Sequence, residues 1–148
     1  MRGIGISDFL SRQFVTFAYD GAWRASFGEP ERNMKMIVWG NPGNGKTEFC
    51  IQLAKYMAGF TKVYYNSFEQ GICKTLQDAI LRNDMMAVNG RVIFGDQEDF
   101  GEMMERLGGK NAPQVCIIDS RVGLNFSQGI ALLISLLRGL CLHRIIFE

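Results

Sequence analysis

From about Lys35 onward, short apolar runs alternate with segments in which apolar residues recur at helical spacing. "MKMIVWG" is an apolar run closed by glycine and predicts a buried strand. In "TEFCIQLAKYM", Phe49, Cys50, Leu53, Ala54 and Met57 share one face, which predicts an amphipathic helix. "KVYYN" predicts a second strand, and Ile72, Leu76, Ala79 and Ile80 mark a second helix. "RVIFG" predicts a third strand. A third helix follows, capped by Asp96, with Phe100, Met103, Met104 and Leu107 inward and Gly108-Gly109 at its end. "QVCIID", introduced by Pro113, predicts a fourth strand. A fourth helix carries Ile130, Leu133, Ile134 and Leu137, and "HRIIF" closes as a fifth strand.

Strands alternating with helices of about 10–14 residues are βαβ units, which join parallel strands through right-handed crossovers. The expected fold class is α/β, a three-layer α/β/α sandwich with a mainly parallel sheet over residues 34–148. Residues 1–33 differ: Phe9, Phe14, Phe17, Trp23 and Phe27 sit among Gly, Ser and Asp without a clean period. They read as an N-terminal aromatic-rich flap packed over the sheet. No internal repeat or low-complexity linker interrupts the pattern.

Composition narrows the function classes more than the fold. A chain of 148 residues suits one domain with a real core. Its 16 Lys+Arg against 15 Asp+Glu leave a net charge of +1, which gives no global electrostatic reason to bind nucleic acid or a membrane surface. Cys50, Cys73, Cys116 and Cys141 are far apart and fit no metal pattern; they read as small hydrophobes in a reducing compartment. His143 has no ligand partner at useful spacing and reads as structural. No signal peptide opens the chain. The longest apolar run, "GIALLISLLRGLCL", is interrupted by Arg138 and is shorter than the roughly 20 residues that cross a bilayer. The expectation is a cytoplasmic protein with no membrane partner.

The chemistry concentrates where the first strand ends. "GNPGNGKT", Gly40 to Thr47, matches G-x-x-x-x-G-K-[ST], the Walker A or P-loop motif. Glycines at 40, 43 and 45 let backbone N–H groups turn inward and approach phosphate oxygens. The helix opening near Lys46 aims its unpaired N–H groups and positive dipole end at the same spot. Residues Asn41, Pro42, Gly43, Asn44, Gly45, Lys46, Thr47 and Glu48 are therefore the candidate nucleotide-binding set. Lys46 would reach the β- and γ-phosphates of ATP, and the Thr47 hydroxyl would bind Mg²⁺. An aromatic of the N-terminal segment stacking on the base is a sharper alternative to the flap.

Hydrolysis needs a metal carboxylate and a group that orients water. "VCIID" ends an apolar strand in Asp119, the Walker B pattern, and a strand buried on both faces releases a carboxylate only at its carboxyl end. Asp119 is thus the second candidate metal ligand. Ser120 follows it, so no acid is adjacent. Glu69, in "VYYNSFEQG" just past the second strand, is the candidate catalytic carboxylate beside Lys46. Its alternative is a helix N-terminal acid serving the dipole. Asp96 and Glu98 are weaker rivals, read as cap and first-turn acids.

"WGNPGNGKTEF", "VYYNSFEQG" and "VCIIDS", in this order and spacing, resemble the ATPase core of RecA-type P-loop proteins, the group of RecA recombinases, RadA-like proteins and DnaB-like helicases. "YDGAWRASFGEPE" resembles the lead-in of small RecA-like ATPases of phages and mobile elements. The resemblance covers roughly residues 15–120. It implies that Glu69 polarises the attacking water, and that Asp119 and Thr47 hold Mg²⁺. It also implies a homo-oligomer with ATP between subunits, a trans-acting arginine drawn from Arg91, Arg106, Arg138 or Arg144, and work on DNA in recombination, repair or replication. From Arg121 onward the chain departs from the family pattern. That segment is read either as a divergent helix buried by a partner or as a truncated or shifted end. Two other functions stay open. "GNPGNGKT" also resembles nucleotide and small-molecule kinases, although only Arg106 lies where an arginine-rich lid would stand. A nucleotide-binding switch with little hydrolysis is the third.

Overall fold

The computed structural model describes residues 3–38 and 40–119, and the backbone of residues 143–147. The predicted fourth helix, Cys141 and the apolar run 129–142 lie outside the described residues. The chain divides into two compact units, Met1–Met34 and Lys35–Glu148.

The first unit holds two short helices, α1 (Ile6–Leu10) and α2 (Gly21–Phe27). Its two limbs meet at an antiparallel bridge between Thr16 and Glu31. Flanking that bridge, the Phe17 N–H donates to the Pro30 carbonyl and the Arg32 N–H to the Val15 carbonyl, both at 2.9 Å. The Arg32 guanidinium lies 5.4 Å from the Phe17 ring centroid, a cation–π distance. Trp23 and Phe27, four apart on α2, stack at 5.9 Å. Phe17 and Tyr19 are buried, whereas Phe9, Phe14 and Phe27 are exposed.

The second unit is α/β. Its strands are β1 (Lys35–Val38), β2 (Val63–Ser67), β3 (Val92–Asp96), β4 (Val115–Asp119) and β5 (His143–Phe147), each within a residue or two of an apolar run that predicts it. The sheet order is β1-β5-β4-β2-β3, and every pairing is parallel. Strands β4, β2 and β3 are level: Val63 pairs Val115 and Val92, and Ser67 pairs Asp119 and Asp96. Their carboxyl ends therefore share one rim.

Side chains alternate across β2. Tyr64 joins Cys116 and Ile118 of β4 under Met103 and Leu107 of α5 (Phe100–Leu107), so α5 covers one face. α3 (Lys46–Met57) packs against β4 and β2 on the side of Tyr65, with α4 (Lys74–Arg82) beside it. β2 is buried along its whole length, as a parallel strand covered on both faces should be.

Three local expectations change. The buried face of α3 is Cys50, Ile51, Leu53, Ala54 and Met57, with Phe49 only half-buried. A helix contacting two strands and a neighbouring helix buries a wider stripe than one period suggests. Ile72 stands before α4 and is 64% exposed, because its N–H is held by the Asp96 carboxylate at 2.8 Å in the turn that precedes the helix. Asp96 consequently does not cap α5. That cap is Asp99, whose carboxylate accepts from the Glu102 N–H while the Glu102 carboxylate accepts from the Asp99 N–H, a complete capping box. Among the described residues no helix is long and apolar enough to cross a membrane.

Candidate functional site

The loop of residues 40–45 leaves β1 and enters α3 directly, so the glycine-rich turn and the helix N-terminus form one continuous structure. Gly43 and Gly45 have φ of 83° and 75°, the left-handed region in which a side chain is strained. Among the described residues, nothing beyond the adjoining backbone lies within 4 Å of where a Cβ would stand on either glycine, so the backbone is approachable there. Gly45 is the N-cap of α3 and provides no side-chain cap for the first-turn N–H groups. The first of the notable side chains, Lys46, donates from Nζ to the Gly40 carbonyl at 2.5 Å and the Asn41 carbonyl at 3.0 Å. Its ammonium is thereby held over the loop it follows.

Glu48 points elsewhere. Arg82 donates to its Oε2 at 2.9 Å and the Asn83 amide to its Oε1 at 2.6 Å. The Arg82 hydrogen bond, then that of Asn83, draws the Glu48 carboxyl below its ordinary range. The side chain thus ties α3 to the end of α4. Only its backbone N–H, in the first turn of α3, stays with the glycine loop. Lys55 repeats the tie two residues before the end of α3, donating to the Asn83 carbonyl at 2.7 Å.

Asp119 ends β4, half-buried. Its carbonyl accepts from the Phe68 N–H at 3.0 Å and from the Glu69 N–H at 3.3 Å. Its Oδ2 accepts from the Tyr65 hydroxyl at 3.1 Å. Burial first, and then the Asp119 charge, push the Cys50 thiol and the Tyr65 phenol above their ordinary values. Cys50 lies three residues beyond Thr47, on the same side of α3. The helix that the glycine loop opens packs against β4, the strand that ends in Asp119.

Glu69 sits in the turn after β2, between the ends of two neighbouring strands. Its N–H is bound to β4 as described, and its carbonyl accepts from the Gln97 side-chain amide at 3.0 Å. Gln97 has a φ of 53°, rare for a residue with a side chain, and its N–H donates to the Ser67 carbonyl at 3.2 Å. Gly71 N–H closes the turn on the same Ser67 carbonyl at 3.1 Å. The Glu69 backbone is fixed from both sides, an arrangement suited to aiming a half-buried carboxylate.

Glu98 belongs to a different structure. Its carboxylate accepts from Arg106 Nε at 2.9 Å and from the Tyr64 hydroxyl at 2.7 Å, with a second bond from Arg106. Asn66, fully buried on β2, exchanges side-chain bonds with the Glu98 carbonyl at 2.8 Å and N–H at 3.2 Å. Arg106 above all holds the Glu98 carboxyl below its usual range, against the opposing effect of burial. This knot fastens the β3–α5 loop on the sheet face opposite α3. It removes Glu98 from the candidate acids and engages Arg106 within its own chain.

Sequence reasoning missed Tyr65 and Gln97. Tyr65 stands two residues behind the Asp119 level on the adjacent strand, where a diagonal neighbour reaches a long side chain; the strand register would have revealed it. No sequence signal marks Gln97.

The donors at Thr47 and Asp119 are hard oxygens, the chemistry that suits Mg²⁺ rather than zinc. Among the described residues no group of three or more His, Cys, Asp or Glu could cage a metal. Magnesium seldom needs such a cage, because it keeps several waters and is carried on phosphate oxygens. An apolar pocket of about 470 Å³ lies apart from these residues, between Ile72, Leu76 and Ile80 and the Phe94 ring. No family model matches the chain, and no curated protein matches it closely enough to count as a relative.

Proposed function

We propose that the chain is a Mg²⁺-dependent ATPase of RecA-like P-loop type, built as a three-layer α/β/α sandwich. The observation that carries this reading is that the glycine loop opens α3 and that α3 packs against β4, the strand ending in Asp119. A P-loop sequence alone predicts phosphate binding; a carboxylate converging on its helix adds a metal site.

In this reading the loop N–H groups and the N-terminus of α3 hold the β- and γ-phosphates. Lys46 trades the Gly40 and Asn41 carbonyls for phosphate oxygens and neutralises charge that develops in the transition state. Thr47 and Asp119 would hold Mg²⁺, which would supply charge neutralisation at the phosphates. Glu69, its backbone pinned by Asp119 and Gln97, orients the attacking water and accepts its proton. A homo-oligomer supplying an arginine to the neighbouring site follows from the resemblance. Arg91, exposed and on no element of the Glu98 knot, fits that role better than Arg106. Action on DNA rests on the resemblance alone.

Phosphate release in the absence of any acceptor tests the reading and separates it from a kinase. The wild type should release phosphate from Mg·ATP, and Glu69→Gln should lower turnover by about 10²-fold or more while leaving ATP affinity within about twofold. Equal turnover in Glu69→Gln would move the base elsewhere. Tight ATP binding with no release, with or without single-stranded DNA, would select a nucleotide-binding switch.

A further inference from the structure

Tyr65 raises a question that the nucleotide site leaves unanswered: why a fully buried strand carries a phenol rather than a phenylalanine. Burying a hydroxyl is costly unless it finds a partner. Here the partner is Asp119, the rim carboxylate, at 3.1 Å through Oδ2. The contact follows from the sheet. Tyr65 pairs with Ile117, and Asp119 lies two residues on along β4, on the same face and within reach of a long side chain. The ring itself is braced from the other side by Phe94, with centroids 5.3 Å apart.

We infer that Tyr65 is a positioning residue for the metal carboxylate, its hydroxyl holding Asp119 at a fixed orientation toward the first turn of α3. The inference rests on the reading of Asp119 as a Mg²⁺ ligand. Three constraints act together. The Asp119 main chain is bound by the Phe68 and Glu69 N–H groups, one carboxylate oxygen is bound by Tyr65, and Tyr65 is fully buried with its ring against Phe94. A carboxylate that need not search for its rotamer gives up less freedom on taking a metal, which is why partners of metal ligands affect affinity. A phenol is protonated at neutral pH and donates to a carboxylate without competing for the metal.

The test is a Mg²⁺ titration of ATP binding to the full chain, with Tyr65→Phe and the wild type side by side. Tyr65→Phe should raise the Mg²⁺ concentration at half-effect by about tenfold. ATP affinity in excess chelator should be unchanged. In an Asp119→Asn background the same substitution should shift nothing further, since its action runs through that carboxylate. A shift under twofold in a folded Tyr65→Phe protein, or an equal shift with Asp119→Asn, overturns the inference while the nucleotide site stands. Wild-type protein whose ATP binding ignores Mg²⁺ overturns the metal reading and this inference with it. Should Tyr65→Phe fold poorly, ring-carbon NMR of labelled wild type replaces it, with the four tyrosines assigned by substituting the other three in turn. The Tyr65 signal should move when Mg²⁺ joins bound ATP and stay still with ATP alone; a signal indifferent to Mg²⁺ contradicts the proposal.

Discussion

Gly95 is the next-to-last residue of β3, and a tyrosine on β2 leaves it no room for a side chain. A Cβ there would lie 2.3 Å from the Tyr64 hydroxyl and 3.0 Å from the ring. That ring cannot retreat, because its hydroxyl is bound to Glu98 and Arg106 lies over its face at 5.6 Å. Gly95→Ala should therefore destabilise the protein by about 1–3 kcal/mol, the usual cost of overpacking. Chemical denaturation should show a lower midpoint, and the penalty should shrink in a Tyr64→Phe background, where the closest atom is gone. A neutral Gly95→Ala would mean that Tyr64 packs elsewhere. The sequence announced this glycine only as the end of a strand. Its reason is a cross-strand contact, and such contacts become visible once the register is known. Gly43 and Gly45 are the opposite case: their left-handed conformations were legible from the motif, because a loop that turns its N–H groups inward demands them.

At the scale of the element, strands were the most legible feature, since a buried parallel strand is a short apolar run with few ways to be anything else. Helix starts were harder. Asp96 and Asp99 stand three positions apart, and each is a chemically reasonable cap, with Glu98 between them. β3 runs through Asp96, which spends that carboxylate on the Ile72 N–H, so the helix begins later with Asp99 and the Glu102 partner. Glu98, left between them, fastens the β3–α5 loop through Arg106, Tyr64 and Asn66. Folding holds its carboxyl below its ordinary value of 4.5, chiefly through Arg106, so the folded protein takes up that proton less readily than the unfolded chain. The contribution is complete above about pH 4.5 and fades as pH falls through the lower folded value. Glu98→Gln should cost about 1–2 kcal/mol at neutral pH, and the gap to wild type should close on acidification below pH 4.5. Denaturation midpoints measured across that range check it. A gap that stays constant would show that the charge on Glu98 does not matter.

For the whole molecule, parallel pairing is what turns scattered residues into a candidate site. Glu69 and Asp119 are 50 residues apart in sequence, yet Ser67 and Asp119 are register partners, and the Asp119 carbonyl binds the Glu69 N–H. β1 delivers the glycine loop to α3, and α3 lies against β4 and β2. The residue types expected of such a site, glycine, lysine, threonine and an acid, follow from phosphate and magnesium chemistry and could be named from the sequence. The devices that hold them were not. Tyr65, Gln97 and the Glu48–Arg82 tie depend on which strands are neighbours and which helices touch, information that no single segment contains.

The central claim is that Gly40–Thr47 binds the phosphates of ATP. Calorimetric titration of the full chain with Mg·ATP, wild type against Lys46→Ala, tests it most directly. Saturable binding by the wild type is expected, with affinity lowered about 10- to 100-fold in Lys46→Ala, as loss of charge-assisted hydrogen bonds requires. Equal affinity in the two proteins, or no binding by the wild type, would contradict it.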